Sequence, residues 1–134
     1  MSVTPTADNS GPGYAKHPEH TLNLEPFSGG VRVVANGKTI ADTTQALVMR
    51  EGDYAPRYYI PPADVRSDLV TPSATETYCP FKGKASYWTF TVGGRANEDV
   101  AWSYETPYDE MLAIKEYFSF YEDRVDEMII GDGG

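Results

Sequence analysis

Val31-Arg32-Val33-Val34-Ala35-Asn36-Gly37-Lys38-Thr39-Ile40-Ala41-Asp42 decides the fold class. Val31 to Ala35 is rich in β-branched residues, which fit a pleated, half-buried surface. Asn-Gly then supplies two residues that tolerate positive φ, the requirement of a type I′ hairpin turn. Lys38 to Asp42 returns as the partner strand. The chain therefore announces an antiparallel β domain before any other stretch is considered.

Working outward toward the C-terminus, the same signals recur at short intervals. Ala46 to Glu51 is a further strand, with a short helix as its alternative, followed by a turn at Gly52-Asp53-Tyr54-Ala55-Pro56. Arg57-Tyr58-Tyr59-Ile60 is a strand stopped by Pro61-Pro62, and Pro62 to Val65 is one helical turn opened by proline. Pro72 to Glu76 reads as a polar loop. Ala85 to Val92 is the longest strand, with Tyr87, Thr89 and Thr91 on one face and Trp88, Phe90 and Val92 on the other. Gly93-Gly94 turns the chain into a strand over Asp99 to Tyr104.

Pro107 to Glu116 has the marks of a helix: Thr106 as cap, proline at the first position, and acids in the first turn. Tyr117 to Tyr121 and Val125 to Ile130, joined by Glu122-Asp123-Arg124, read as a final hairpin. A helix over 109–130 is the rival reading. Toward the N-terminus, Thr21 to Pro26 is an edge strand, and residues 1–20 form a flexible lead-in punctuated by Gly11-Pro12-Gly13. The expected fold is mainly β: one small domain over 21–134, of roughly eight short strands with one short helix near 107–116, as a sandwich or half-open barrel.

The 134 residues carry a net charge of −9, distributed as −1 over residues 1–49, +1 over 50–97 and −9 over 98–134. Such an acidic end argues against nucleic-acid binding, which needs a positive face. No apolar run reaches the length of a membrane span. Met1 to Gly13 lacks the apolar segment of a secretory signal. A single cysteine excludes an intrachain disulfide and a Cys-based zinc site, so the expected compartment is the cytoplasm and no cofactor is expected. His17 and His20 lie three apart, but Pro18 intervenes and no third ligand follows, so no metal site is assigned.

Candidate site residues gather around Thr77-Tyr78-Cys79-Pro80-Phe81-Lys82-Gly83. Cys79 is either a small buried hydrophobe or a thiol activated by the nearby Lys82. Lys82 with the Gly83 backbone offers an ammonium and an N–H to a carboxylate or phosphate, or is a surface lysine beside a turn glycine. Glu51 and Asp64 are candidate bases, or partners of Arg57 or Arg66 in ion pairs that hold loops. Tyr59, like Arg57, is a polar residue beside a strand end, and Trp102 and Tyr104 offer aromatic faces to a planar ligand, with core packing as the alternative. Cys79, Lys82 and Glu51 are thus the catalytic candidates. Arg57, Tyr59, Asp64, Lys82, Gly83 and Trp102 are the binding candidates.

These pieces resemble the domain-of-unknown-function family 427. The resemblance runs through Asn36-Gly37 with Ile40-Ala41-Asp42-Thr43, Tyr58-Tyr59-Ile60-Pro61, Thr77…Cys79-Pro80…Lys82-Gly83, Tyr87-Trp88, and Ala101-Trp102-Ser103-Tyr104…Pro107. It implies a β-tent architecture, shared with B-type methionine sulfoxide reductases and the cereblon ligand-binding domain. Those relatives usually hold zinc between two cysteine pairs, which one cysteine cannot supply. Some labels in the family suggest a nucleotidyltransferase, yet no paired-carboxylate Gly-Ser signature or phosphate-cradling glycine loop occurs here.

Three functional classes remain. The first is a pocket for a small anionic or planar ligand beside the 77–83 turn, with or without catalysis. The second is a non-enzymatic interaction module, dimerising through a strand edge or aromatic patch. The third is an oxidoreductase relying on Cys79.

Overall fold

A computed structural model describes residues 22–51, 55–79 and 82–131. It is mainly β, with ten strands: β1 Leu22–Pro26, β2 Val31–Ala35, β3 Lys38–Thr43, β4 Leu47–Glu51, β5 Arg57–Tyr59, β6 Val70–Cys79, β7 Gly83–Val92, β8 Arg95–Ser103, β9 Ser119–Phe120 and β10 Glu127–Ile130. The expected lead-in with His17 and His20, the turn at 52–54, and Pro80 and Phe81 lie outside the described residues. No described helix is long and apolar enough to cross a membrane.

The strands form three sheets, ordered β1-β4-β5, β10-β2-β3 and β6-β7-β8-β9. None closes into a barrel. The first and third sheets meet through an antiparallel bridge. Ile60 N–H donates to Phe118 O at 2.7 Å, and Phe118 N–H to Ile60 O at 2.9 Å. The result is one long surface running β1-β4-β5-β9-β8-β7-β6.

The founding hairpin forms as its sequence demands. Asn36 and Gly37 have φ of 51° and 78°, the left-handed pair of a type I′ turn. The Asn36 amide donates to Val92 O (3.3 Å) and Arg95 O (3.2 Å), tying this tip to the Gly93-Gly94 turn. Gly37 N–H donates to the Asp126 carboxylate at 2.8 Å, tying it to the approach to β10.

Alternation along the strands divides the apolar residues into two cores. The first holds Val31, Val33, Ile40, Ile60, Phe90, Val100, Phe118 and Phe120. The second holds Met49, Tyr59, Ala85, Trp102, Tyr104, Met111 and Ile114. Adjacent residues on one strand serve opposite cores: Tyr59 and Ile60, Tyr87 and Trp88, Tyr117 and Phe118. Side chains at i and i+1 in a strand point to opposite faces, so the long surface is packed on both sides.

Three sequence expectations are corrected. Pro72 to Glu76 is not a loop but part of β6, carried through by a register shift between Pro72 and Glu76. The expected helix at 107–116 is a pair of 3₁₀ turns over Asp109–Ile114, bent at Met111. Its ends are held by Tyr108 N–H to Lys82 O (3.0 Å) and by Glu116 N–H to Tyr104 O (2.9 Å). Met111 and Ile114, three apart, both enter the second core, and that spacing matches the 3₁₀ period. The final hairpin does not exist either: β9 pairs with β8, while β10 crosses to β2. The helical rival over 109–130 fails with it.

Candidate functional site

On the side of the second core the surface encloses a cavity of about 340 Å³. Five strands of the long surface, with the residues flanking them, and one hairpin connection supply its lining. β4 brings Met49, and the approach to β5 brings Ala55. β5 brings Arg57 and Tyr59, two apart and therefore on one face. β7 brings Tyr87, and the β8 end brings Trp102 and Tyr104, again two apart. Tyr121 follows β9, and Lys82 comes from the β6–β7 tip.

The walls are aromatic and interlocked. Trp102 and Tyr121 lie with ring centroids 4.6 Å apart, tilted by 44°. Tyr87 and Tyr121 stack at 6.3 Å with 17° between their planes, and their hydroxyls are 3.1 Å apart. The Thr77 hydroxyl continues this chain, 3.1 Å from the Tyr87 hydroxyl. The Arg57 guanidinium sits 5.4 Å from the Trp102 ring centre, and that of Arg124 sits 4.3 Å from the Tyr121 ring centre. Both contacts fall within the range of cation–π attraction.

Burial, reinforced by the Tyr87 hydroxyl, pushes the Tyr121 phenol up to about 12, against the opposing pull of Arg124 and Arg57. At neutral pH it is a protonated hydroxyl, able to donate as well as accept. The described lining thus holds four phenols, an indole and two cations, and no carboxylate.

Lys82 is aimed by its neighbours. Gly83 has φ of 116°, and a Cβ there would meet Thr106 O and Pro107 Cα, each at 3.4 Å. Gly83 therefore lies against residues 106–108, where Lys82 O accepts the Tyr108 N–H. The glycine is needed for this docking, since both its φ and its close approach disfavour a side chain.

Four of the sequence-nominated residues line the cavity together: Arg57, Tyr59, Lys82 and Trp102. Gly83 supports the site from behind without lining it. Asp64 lies elsewhere; its carboxylate accepts from the Thr43 hydroxyl at 2.7 Å and holds the Pro62–Asp64 turn to β3. The anticipated pairing of Asp64 with Arg66 is absent, because Arg66 pairs with Asp68 at 2.8 Å. Cys79 is half-buried, opposite Gly83 in the β6–β7 register, and is not among the lining residues. Glu51 closes β4, and its side chain lies outside the described residues. Among the described residues no three potential metal ligands gather.

Tyr104, which the sequence offers beside Trp102 as a stacking aromatic, also lines the cavity, as do Tyr87 and Tyr121, which sequence reasoning missed. A signal was available. In Tyr117-Phe118-Ser119-Phe120-Tyr121 the phenylalanines alternate against the tyrosines, and the same parity separates Tyr87 from Phe90. The phenylalanines enter the first core and these tyrosines pack on the second, with Tyr58 the exception.

A family model described as a domain of unknown function, DUF427, matches residues 23–131. No curated protein matches the chain.

Proposed function

We propose that this chain, which belongs to the DUF427 family, binds a small planar anion in the aromatic cavity. The observation that carries this reading is the placement of Arg57 and Lys82 around a hollow walled by Trp102 and four tyrosines. Aromatic faces hold a planar ligand by offset stacking, and the two cations give its acidic group charge-assisted partners. At about 340 Å³ the cavity is near the lower end of the ~300–1,000 Å³ range of ligand pockets, which favours a ligand of one or two rings. Binding is favoured over covalent chemistry because no thiol belongs to the lining and Tyr121 stays protonated.

The test is a titration with benzoate and phenyl phosphate, with benzamide as the uncharged control. It is followed at the indole N–H resonance of Trp102, assigned from the Trp102→Phe variant. Saturable shifts with both anions and a much weaker response to benzamide are expected. Equal affinity for benzamide, or a Trp102 resonance that does not move, overturns the reading.

A second reading, self-association, rests on a separate observation. β10 is an edge strand of its sheet, and Ile129 on it is 43% exposed. An open edge with an exposed apolar residue is a template for strand pairing between copies. Light scattering on a gel-filtration peak distinguishes the two: a dimer that Ile129→Lys dissolves supports the edge, and a strict monomer removes it.

A further inference from the structure

A second aromatic hollow, of about 200 Å³, opens on the opposite face of β7 and β8. Its floor is Trp88 and Phe118, whose ring centroids are 5.5 Å apart with planes inclined at 50°. Pro62 and Ser103 form its sides, and Glu105 and Glu116 stand at its rim. We propose that this hollow is a binding site for a small organic cation, an alkylammonium headgroup.

The chemistry follows from the lining. Both rings line one volume, and aromatic π-systems, negative over their faces, attract ammonium groups. Two carboxylates at the mouth add charge of the complementary sign. The apolar interior lets a methylated headgroup shed water at little cost, whereas a small hydrated metal ion would find too few oxygen ligands. The size is that of a headgroup, below the ~300 Å³ at which sites for whole drug-sized ligands begin.

The parts are held in place independently of any ligand. The Trp88 indole N–H donates to Ser103 Oγ at 2.8 Å, which fixes the ring plane. Glu116 has a left-handed backbone, φ 66°, which a residue with a β-carbon adopts against its preference. Its N–H donates to Tyr104 O at 2.9 Å, beside a backbone bridge between Tyr104 and Lys115. That tie brings Glu116 next to Glu105 across the chain. Neither carboxylate forms an ion pair among the described residues, although Lys84, itself paired with Glu76, lies within electrostatic reach of Glu105. The net charge of −9 adds a long-range attraction for cations.

The experiment uses the whole chain, ¹⁵N-labelled, and follows both tryptophan indole resonances while tetramethylammonium chloride is added. Potassium chloride at equal ionic strength and 3,3-dimethylbutanol, an uncharged molecule of similar bulk, are the controls. The expected result is a saturable shift of the Trp88 resonance with tetramethylammonium alone, while Trp102 stays in place. The Glu105→Gln, Glu116→Gln double variant should bind about tenfold more weakly with an otherwise unchanged spectrum. Three results overturn the proposal: an equal Trp88 response to the alcohol, an unchanged affinity in the double variant, or a shift confined to Trp102. Because Trp102 reports on the other cavity, failure here is separable from failure of the anion reading.

Discussion

The two hollows share a floor and differ in the sign of their rims. β7 and β8 run between them, so Tyr87 and Trp102 face one while Trp88 and Ser103 face the other. Each hollow is aromatic, and each is bordered by charges from segments outside the β7–β8 pair. Arg57 and Lys82 come from β5 and the β6–β7 tip; Glu105 and Glu116 come from the strands' exit and the tied segment at 115–116. The aromatic floor is common property, fixed by strand alternation. The selectivity belongs to the loops, which is the division of labour expected of a rigid scaffold carrying variable connections.

The severest way to break this comparison is to remove what one of the hollows stands on. Phe118 is buried against Trp88, Phe90 and Phe120 and floors the anionic-rimmed hollow. Phe118→Ala is expected to lower stability by about 3–5 kcal/mol, the range for losing a buried aromatic. Urea denaturation would show this, with loss of the ammonium response at Trp88 in whatever folded protein remains. A fall below about 1 kcal/mol would mean the floor of that hollow is not a core element.

Arg57→Ala sharpens the contrast instead. The guanidinium is exposed and rests on Trp102, so the fold should persist. Benzoate affinity measured by calorimetry should drop by roughly ten- to a hundredfold, the weight of a hydrogen bond to a charged group. Tetramethylammonium binding should be unchanged, and a matched loss at both hollows would show that they are not independent.

High pH separates the faces more gently. Tyr121 is raised to about 12 chiefly by burial, and Tyr108 to about 12 chiefly by its hydrogen bond with Tyr78. Both lie above the ordinary phenol value of about 10. A raised folded-state pKa means that the associated stability is present in full below about pH 10 and is lost as pH climbs toward 12. Denaturation midpoints should fall over that window, and Tyr121→Phe should flatten the fall. A midpoint independent of pH there would contradict the buried-phenol account.

The smallest effect concerns Lys84, whose ammonium lies within electrostatic reach of Glu105. Lys84→Met should strengthen tetramethylammonium binding by about twofold, as befits an exposed charge. Weaker binding would place Lys84 on the wrong side of the argument.

Local chemistry was the legible part of this chain. Asn36-Gly37 specified its turn because the φ requirement is met within two residues, and Pro61-Pro62 ended β5 for the same kind of reason. Partner choice was not legible. Val125 to Ile130 looks like the return arm of a hairpin, yet β10 finds β2 far back in the sequence, and nothing local encodes that. The 107–116 stretch carries helix signals, but backbone ties at Tyr108 and Glu116 wind it into 3₁₀ turns. The site divides in the same way. Arg57, Tyr59, Lys82 and Trp102 were singled out as polar or aromatic residues near turns and strand ends, and they line one cavity. Asp64 was nominated on identical grounds but caps a contact with Thr43. Only the three-dimensional path separates those cases.

The pairing of β10 with β2 also sets an order of events. Val31 sits opposite Ile130, so the sheet that starts with the founding hairpin lacks its third strand until the end of the described chain has been made. On a ribosome the β2–β3 hairpin emerges before β10, with one edge unsatisfied while the residues between them are made. Contacts this distant in sequence form late and slowly, and an open edge that waits is prone to pair wrongly. A message truncated before Glu127 would therefore yield a chain that keeps its hairpin and both aromatic hollows' principal strands, and whose exposed β2 edge makes it a substrate for chaperones rather than a smaller working protein.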